Sequence, residues 1–356
     1  MKVKSIQEVE IRTNTPSVTD SNKKGILNPG FELEVFEIIE GQAISGNNIW
    51  YKDKNGDFLW SGGFEKYNTD SKTFDSKEMI DYNAQLIGLS DEVKKTQGNQ
   101  AVIAILDTGV YTQHSSLVGK VDQYSFISSS DITDKDGHGT SCASIISSIS
   151  NENFNLSGIA NQAQIISCKI AENRTDFESQ TVLKALEFLK NQGNIDVVNM
   201  SFQIASTQTE VEISKTISEF PKTTVFVAAC RNNDKLFKSY LSFPASNNEI
   251  IAVGQIAKQT LIEYVSKGEA FNKDIDFLME FMSYLTAGIE DADNIDSQIG
   301  SSFSSSLISG LCALIISYFK QNKIAYDREK IKTEIQKISQ KINAESFNNN
   351  FKILMP

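Results

Sequence analysis

Between residues 101 and 253 the chain alternates continuous apolar runs with helical patterns, and few folds accept that alternation. Ala101 to Leu106 contains no polar residue, as expected for a parallel strand covered on both faces. Comparable runs recur at Ile165-Ile166, Asp196 to Met200, Thr224 to Ala229 and Ile250 to Val253. Between two of them, Thr181 to Gln192 sets Val182, Leu183, Leu186 and Leu189 on one side of a helix. Strand, helix, strand in repetition predicts an α/β fold with a mostly parallel sheet and helices on both faces. In such sheets ligands sit at the carboxyl ends of the strands, so chemistry is sought there.

The N-terminal part has a different texture. Residues 25–68 read as short strands, with Phe31, Leu33 and Val35 alternating with Glu32 and Glu34. Turn signals stand at Gly46-Asn47-Asn48 and at Lys54-Asn55-Gly56-Asp57. Trp50-Tyr51 and Phe58-Leu59-Trp60 lie between and after them. The pattern predicts a small all-β, barrel-like domain and resembles bacterial SH3-like domains. Residues 1–24 read as an N-terminal arm, 69–82 as a polar linker and 83–356 as the larger α/β domain.

Charge and composition exclude several classes. A formal charge of -11 over 356 residues, with no basic stripe, excludes a nucleic-acid partner. No uninterrupted apolar run reaches the roughly 18 residues that span a bilayer, and the first residues lack the apolar core of a secretory signal. A cytoplasmic protein without membrane attachment is expected. Cys142, Cys168, Cys230 and Cys312 lie among apolar or small residues without CxxC spacing, and are expected to be buried, reduced thiols. Two histidines, His114 and His138, are too few for a His-rich metal site.

Three strand-end segments carry reactive side chains. Asp107 follows the first apolar run, in Leu106-Asp107-Thr108-Gly109, where a carboxylate can orient a histidine. His138 lies between two glycines in Asp136-Gly137-His138-Gly139-Thr140, at the start of a helical stretch. Ser302 stands in Gly300-Ser301-Ser302-Phe303, opening a long apolar helix whose positive end favours a developing negative charge. Taken singly, each has a plain structural reading as a turn, a capping loop or a serine-rich helix cap. A fourth element, Asn232, ends the apolar strand at Val227 to Arg231 and can donate an amide to an oxyanion.

From Asn83 to the C-terminus these segments together resemble the subtilases, the subtilisin-like serine proteases, in six blocks in order. The Asp block is similar to Ile105 to Val110, followed by His114-Ser115-Ser116-Leu117. The His block is similar to Gly137-His138-Gly139-Thr140 with Ala143. Gly158-Ile159-Ala160 through Lys169-Ile170, Val198-Asn199-Met200-Ser201, and Phe243-Pro244-Ala245-Ser246 to Val253-Gly254 resemble three further blocks. Gly300-Ser301-Ser302 corresponds to the family's Gly-Thr-Ser and singles out Ser302 among its serine neighbours. The chain order Asp, His, Ser is also that of subtilisin. The resemblance implies a subtilisin-like three-layer fold and a serine endopeptidase acting through an acyl-enzyme on Ser302. It further implies His138 as base and acid, Asp107 as its orienting group, and Asn232 with the Ser302 N–H as oxyanion donors. A protein or peptide substrate would then add as a β-strand at Ser201, Phe202 and Gln203.

The departures from the family lie in the substrate-binding parts. Arg231 stands where the family has Gly before the oxyanion Asn: it fills the pocket, pairs with an acidic substrate side chain, or turns outward. Gln203 stands where the family has Gly, Phe303 replaces a Met, and Ser306 and Asn161 replace prolines. These changes predict a narrow substrate range. Two other readings stay open: a pseudoprotease that binds peptide without turnover, and a subtilase-like peptide transferase. No cofactor is expected, although Ser150 to Ser157 has about the length of the family's calcium loop, with Asn151, Glu152 and Asn155 as candidate ligands against an ordinary Asn-rich turn. The β domain is a candidate docking module for substrate or partner.

Overall fold

The computed structural model describes residues 2–6, 8–27, 32–44, 46–67, 80–82, 89–128, 131–204, 208–233, 238–256, 275–280, 284–338 and 353–354. Side chains are described within these ranges except at 2–4, 20, 32, 34, 65–67, 80, 231–233, 238–240, 280 and 353–354. The expected linker at 69–82 lies outside the described residues except for 80–82. The chain divides into two compact units, Met1–Glu78 and Met79–Pro356.

The first unit is all-β. One antiparallel sheet places Lys2–Ser5 between Glu32–Glu34 and Phe64–Tyr67. A second runs in the order Lys23–Leu27, Val9–Arg12, Phe58–Trp60, Asn47–Lys52, Glu37–Ile44. The N-terminal arm expected over residues 1–24 is therefore corrected, because it supplies two paired strands. Both are only four residues long and alternate charged with apolar residues, too short a window for the period to register. Gly56, at φ +82°, turns the chain between Trp50 and Trp60, which face each other across adjacent strands. Val9, Leu33, Val35, Tyr51, Leu59 and Phe64 close the core of this unit.

In the second unit the apolar runs become strands β1 (Val102–Asp107), β3 (Gln164–Lys169), β4 (Val197–Met200), β5 (Val225–Ala229) and β6 (Ile250–Ile256). Three more join them: β2 (Val121–Ser125), β7 (Phe277–Glu280) and β8 (Ile353–Leu354). The sheet order is β2-β3-β1-β4-β5-β6-β7-β8, parallel except for β8. Side chains alternate across it. Ile103, Ile105, Val225 and Val227 face helices α1 (His138–Ser147), α4 (Ser301–Gln321) and α5 (Arg328–Ile338). Ala104, Leu106, Val198, Met200 and Phe226 face α2 (Ser179–Gln192) and α3 (Thr209–Ser218). This is the expected three-layer α/β arrangement.

Helix α4 runs through the core. Leu307, Ile308, Leu311, Leu314 and Ile316 are wholly buried, each worth about 2–3 kcal/mol by apolar area removed from water. By length and composition α4 would pass for a membrane span, yet 89% of its apolar window is buried within the protein. Its serines bond to the surrounding backbone and side chains: Ser301 Oγ donates to Cys230 O at 2.6 Å, Ser309 Oγ to Asn199 Oδ1 at 2.9 Å and Ser317 Oγ to Asn99 O at 2.5 Å. Satisfied hydroxyls are tolerated in a core where orphaned ones would cost about 1–3 kcal/mol each.

Candidate active site

Asp107 is the last residue of β1, and its side chain is buried at 1% exposure. Its Oδ1 accepts from its neighbour's backbone, Thr108 N, at 2.8 Å and lies 2.8 Å from His138 Nδ1. His138 opens α1 and is itself buried. The carboxylate therefore fixes the imidazole with Nε2 turned away from it. Asp107 Oδ2 has no hydrogen-bond partner among the described residues. Cys142, one turn along α1, lies close by, and its thiol is pushed up by burial and then by the Asp107 charge.

Gly137 caps α1 at φ +88° and, being glycine, has no side chain to bind the helix's free N–H groups. Those groups are bonded from outside. Gly139 N donates to Thr108 Oγ1 at 3.0 Å, while Gly137 N and Thr140 N each donate to the Asp134 carboxylate at 2.9 Å. Gly139 itself is required by contact: a Cβ there would stand 2.1 Å from Gly109 O and 3.1 Å from Asp107 Cβ. Asp134, Thr108 and Thr140 were not singled out from sequence. The readable signal was the carboxylate three residues before a glycine N-cap.

Ser302 is the second residue of α4. Phe303 beside it packs its ring 5.5 Å from the His138 imidazole, which brings the starts of α1 and α4 together. The Ser302 hydroxyl donates to Ser201 O at 3.0 Å, and among the described residues no hydrogen bond joins it to His138. Catalytic hydrogen bonds of this kind often tighten only when substrate is bound. Three hydroxyls converge on Ser302 O: Ser201 Oγ at 2.9 Å, Ser305 Oγ at 2.8 Å and Ser306 Oγ at 2.9 Å. Ser201 is held in turn by Asn199 Nδ2 at 2.8 Å. The Ser306 hydroxyl thus turns back onto its own helix.

The side chains of Arg231 and Asn232 lie outside the described residues. Their backbone forms a short strand, Arg231–Asn233, antiparallel to Lys238–Tyr240, immediately after Cys230, whose carbonyl receives Ser301. Phe202 faces inward and stacks on Phe177 at 4.7 Å. Gln203 is half-buried, and its Nε2 reaches Ala229 O at 3.5 Å, bridging the ends of β4 and β5. His114 is structural. It is buried against Phe154 between Ser116 Oγ (2.9 Å) and Asn294 O (3.0 Å), and burial depresses its basicity. Asn151, the first candidate calcium ligand, has its Oδ1 bonded by Asn153 N at 2.9 Å and by Phe154 N at 3.0 Å. All four cysteines are free and buried.

Comparison with known proteins identifies the family. Residues 98–351 match the peptidase S8 model of the subtilase family. Subtilisin-like protease 3 of Pseudogymnoascus destructans is 29% identical over 252 residues, 68% of this chain and 58% of that protein. The major intracellular serine protease of Bacillus subtilis is 25% identical over 64% of this chain and 72% of its own length. Thermitase of Thermoactinomyces vulgaris is 28% identical over 52% of this chain and 65% of its own length. The chain thus spans 58% to 72% of the length of these relatives. With over half of its residues under the family match, and the Asp107–His138 pair beside a serine-headed core helix, the chain belongs to the subtilase family.

Proposed function

We propose that the chain is a serine endopeptidase of narrow substrate range, with Asp107, His138 and Ser302 as its catalytic triad. The observation that carries the reading is the buried 2.8 Å contact between Asp107 Oδ1 and His138 Nδ1, set beside the helix start that bears Ser302. In the reaction Ser302 Oγ attacks the peptide carbonyl as its proton passes to His138 Nε2. His138 then protonates the leaving amine, and an acyl-enzyme remains on Ser302. A water deprotonated by His138 releases the acid product. Asn232 and the Ser302 N–H serve as the oxyanion donors. To begin, Ser302 exchanges its hydrogen bond to Ser201 O for one to His138.

Narrow specificity is supported by Gln203. Its side chain bridges the ends of two neighbouring strands, where an extended peptide would lie, so a substrate must displace it or fit around it. The N-terminal unit carries exposed apolar side chains, Phe36 at 77% and Ile38 at 54%, which support a role in holding substrate or partner protein. The pseudoprotease reading has one observation in its favour: the Ser302 hydroxyl is engaged by Ser201 and not by His138. Labelling with a fluorophosphonate separates the two. Wild type is expected to form an adduct that Ser302→Ala abolishes. Absence of the adduct, at concentrations that label ordinary serine proteases, would establish the pseudoprotease.

A further inference from the structure

We propose that Asp134 is a positioning residue of the active site, locking β1 and the first turn of α1 into the register that aligns Asp107 with His138. The proposal rests on the serine-protease reading above and deepens it. Asp134 is 2% exposed, and no ion pair holds it among the described residues. Its carboxylate is instead filled by neutral donors from three places. Oδ1 accepts from Thr108 Oγ1 at 2.9 Å, from Gly137 N at 2.9 Å and from Asp136 N at 3.1 Å. Oδ2 accepts from Thr140 N at 2.9 Å and from Thr140 Oγ1 at 2.6 Å.

These partners are the residues that flank the triad. Thr108 follows Asp107 in sequence, and Gly137 and Thr140 bracket His138. The link is closed by Thr108 Oγ1, which donates to Asp134 and accepts from Gly139 N at 3.0 Å. Thr140 Oγ1 in turn accepts from Tyr111 N at 2.9 Å, tying α1 again to the segment that leaves β1. Two glycines let the three backbones meet: a Cβ on Gly109 would stand 3.2 Å from Asp134 N, and one on Gly139 only 2.1 Å from Gly109 O. Asp134 thereby performs the capping that the Gly137 N-cap cannot. A negative group suits that place, at the positive end of the α1 dipole. Without it, three N–H groups and two hydroxyls lose their shared acceptor, and the Asp107–His138 distance is no longer set by the scaffold.

The test measures phosphonylation of Ser302 by a fluorophosphonate probe, resolved into kinact and KI, on the full chain. Asp134→Ala should lower kinact about 100-fold with KI unchanged, the scale of a misplacement of roughly 1 Å. Asp134→Asn, which keeps the Oδ1 acceptor for Thr108, Gly137 and Asp136, should recover most of that loss. In an Asp107→Ala background Asp134→Ala should add little, because the two act through one alignment. If Asp134→Ala does not fold, Asp134→Asn carries the same cycle with a smaller first loss. A folded Asp134 variant with wild-type kinact, or an equal loss in both backgrounds, overturns the positioning role while leaving the protease reading intact. A wild type that the probe does not label at Ser302 overturns that reading and this inference with it.

Discussion

Gly139→Ala isolates the geometry on which the proposed triad depends. Gly139 is helical, so alanine suits its backbone and gains about 1 kcal/mol in intrinsic propensity. The cost is steric alone. The added Cβ would stand 2.1 Å from Gly109 O, whereas real Cβ contacts essentially never fall below 3.0 Å. The first turn of α1 must therefore retreat from the end of β1 by about 1 Å, on the scale at which misplaced catalytic groups lose about 100-fold in rate. His138 rides on that turn, so its 2.8 Å contact with Asp107 lengthens beyond hydrogen-bonding range. Overpacking costs about 1–3 kcal/mol of stability, which a domain of this size survives. Turnover of a fluorogenic peptide and thermal unfolding by circular dichroism are measured on the same preparation, with Gly193→Ala as control. Gly193 has open space around it and lies at the end of α2, so its substitution by alanine strains only its own backbone, at φ +64°. A folded Gly139→Ala protein with wild-type kcat would refute the claim that contact between β1 and α1 aligns the triad.

Two further outcomes follow from the groove and the core. Gln203→Gly removes the side chain that bridges Ala229 O and should raise kcat/KM about 3- to 10-fold for peptides with bulky residues before the cut, the worth of about one hydrogen bond; an unchanged profile across a peptide library would remove Gln203 from specificity. The four buried thiols should make the protein alkali-sensitive. Burial holds Cys230 up at about 12 and pushes Cys142, Cys168 and Cys312 well above the ordinary thiol value of 9.0. The folded state keeps these protons while the unfolded chain releases them, so this contribution is whole below pH 9 and is lost as pH rises toward the folded values. One unit above pH 9 each thiol forfeits on the order of 1 kcal/mol. Urea midpoints at pH 8 and pH 10 should fall accordingly, and replacing Cys168 and Cys312 by alanine should flatten the slope while lowering the plateau.

How much was legible depended on where the information sat. The strands β1, β4, β5 and β6 are covered on both faces, so they are written as mostly apolar runs, broken only by Asn199 in β4, by Gly254 and Gln255 in β6 and by Asp107 at the end of β1. β2 lies at the sheet edge, and its residues alternate between half-buried (Val121, Gln123, Ser125) and exposed (Asp122, Tyr124), so the run never forms. β7 is apolar but short and follows residues that no periodicity organises. Asp107, His138 and Ser302, proposed for chemistry, each lie within two residues of a glycine in a short motif, and became readable only when the motifs were taken together. The groups that aim them did not. Thr108, Asp134 and Thr140 are ordinary loop and cap residues, and their importance arises only when β1, the loop before His138 and α1 converge in space.

That difference bears on how this family member can diverge in its substrate while the geometry of its proposed triad is held. Asp107 and His138 are fixed by contacts to each other and among Thr108, Asp134 and the start of α1. Ser302 is fixed by hydroxyls behind it, on Ser201, Ser305 and Ser306. None of these bonds involves the Gln203 side chain, which reaches instead to the end of β5. Substitutions at Gln203 can therefore change what the groove admits at little cost to triad alignment. Ser201 is the point where the two systems meet, because its backbone carbonyl holds the Ser302 hydroxyl while its own hydroxyl holds the Ser302 carbonyl. A peptide pairing with the backbone at Ser201 would compete for that carbonyl and release the hydroxyl toward His138, which couples substrate fit to the readiness of the nucleophile.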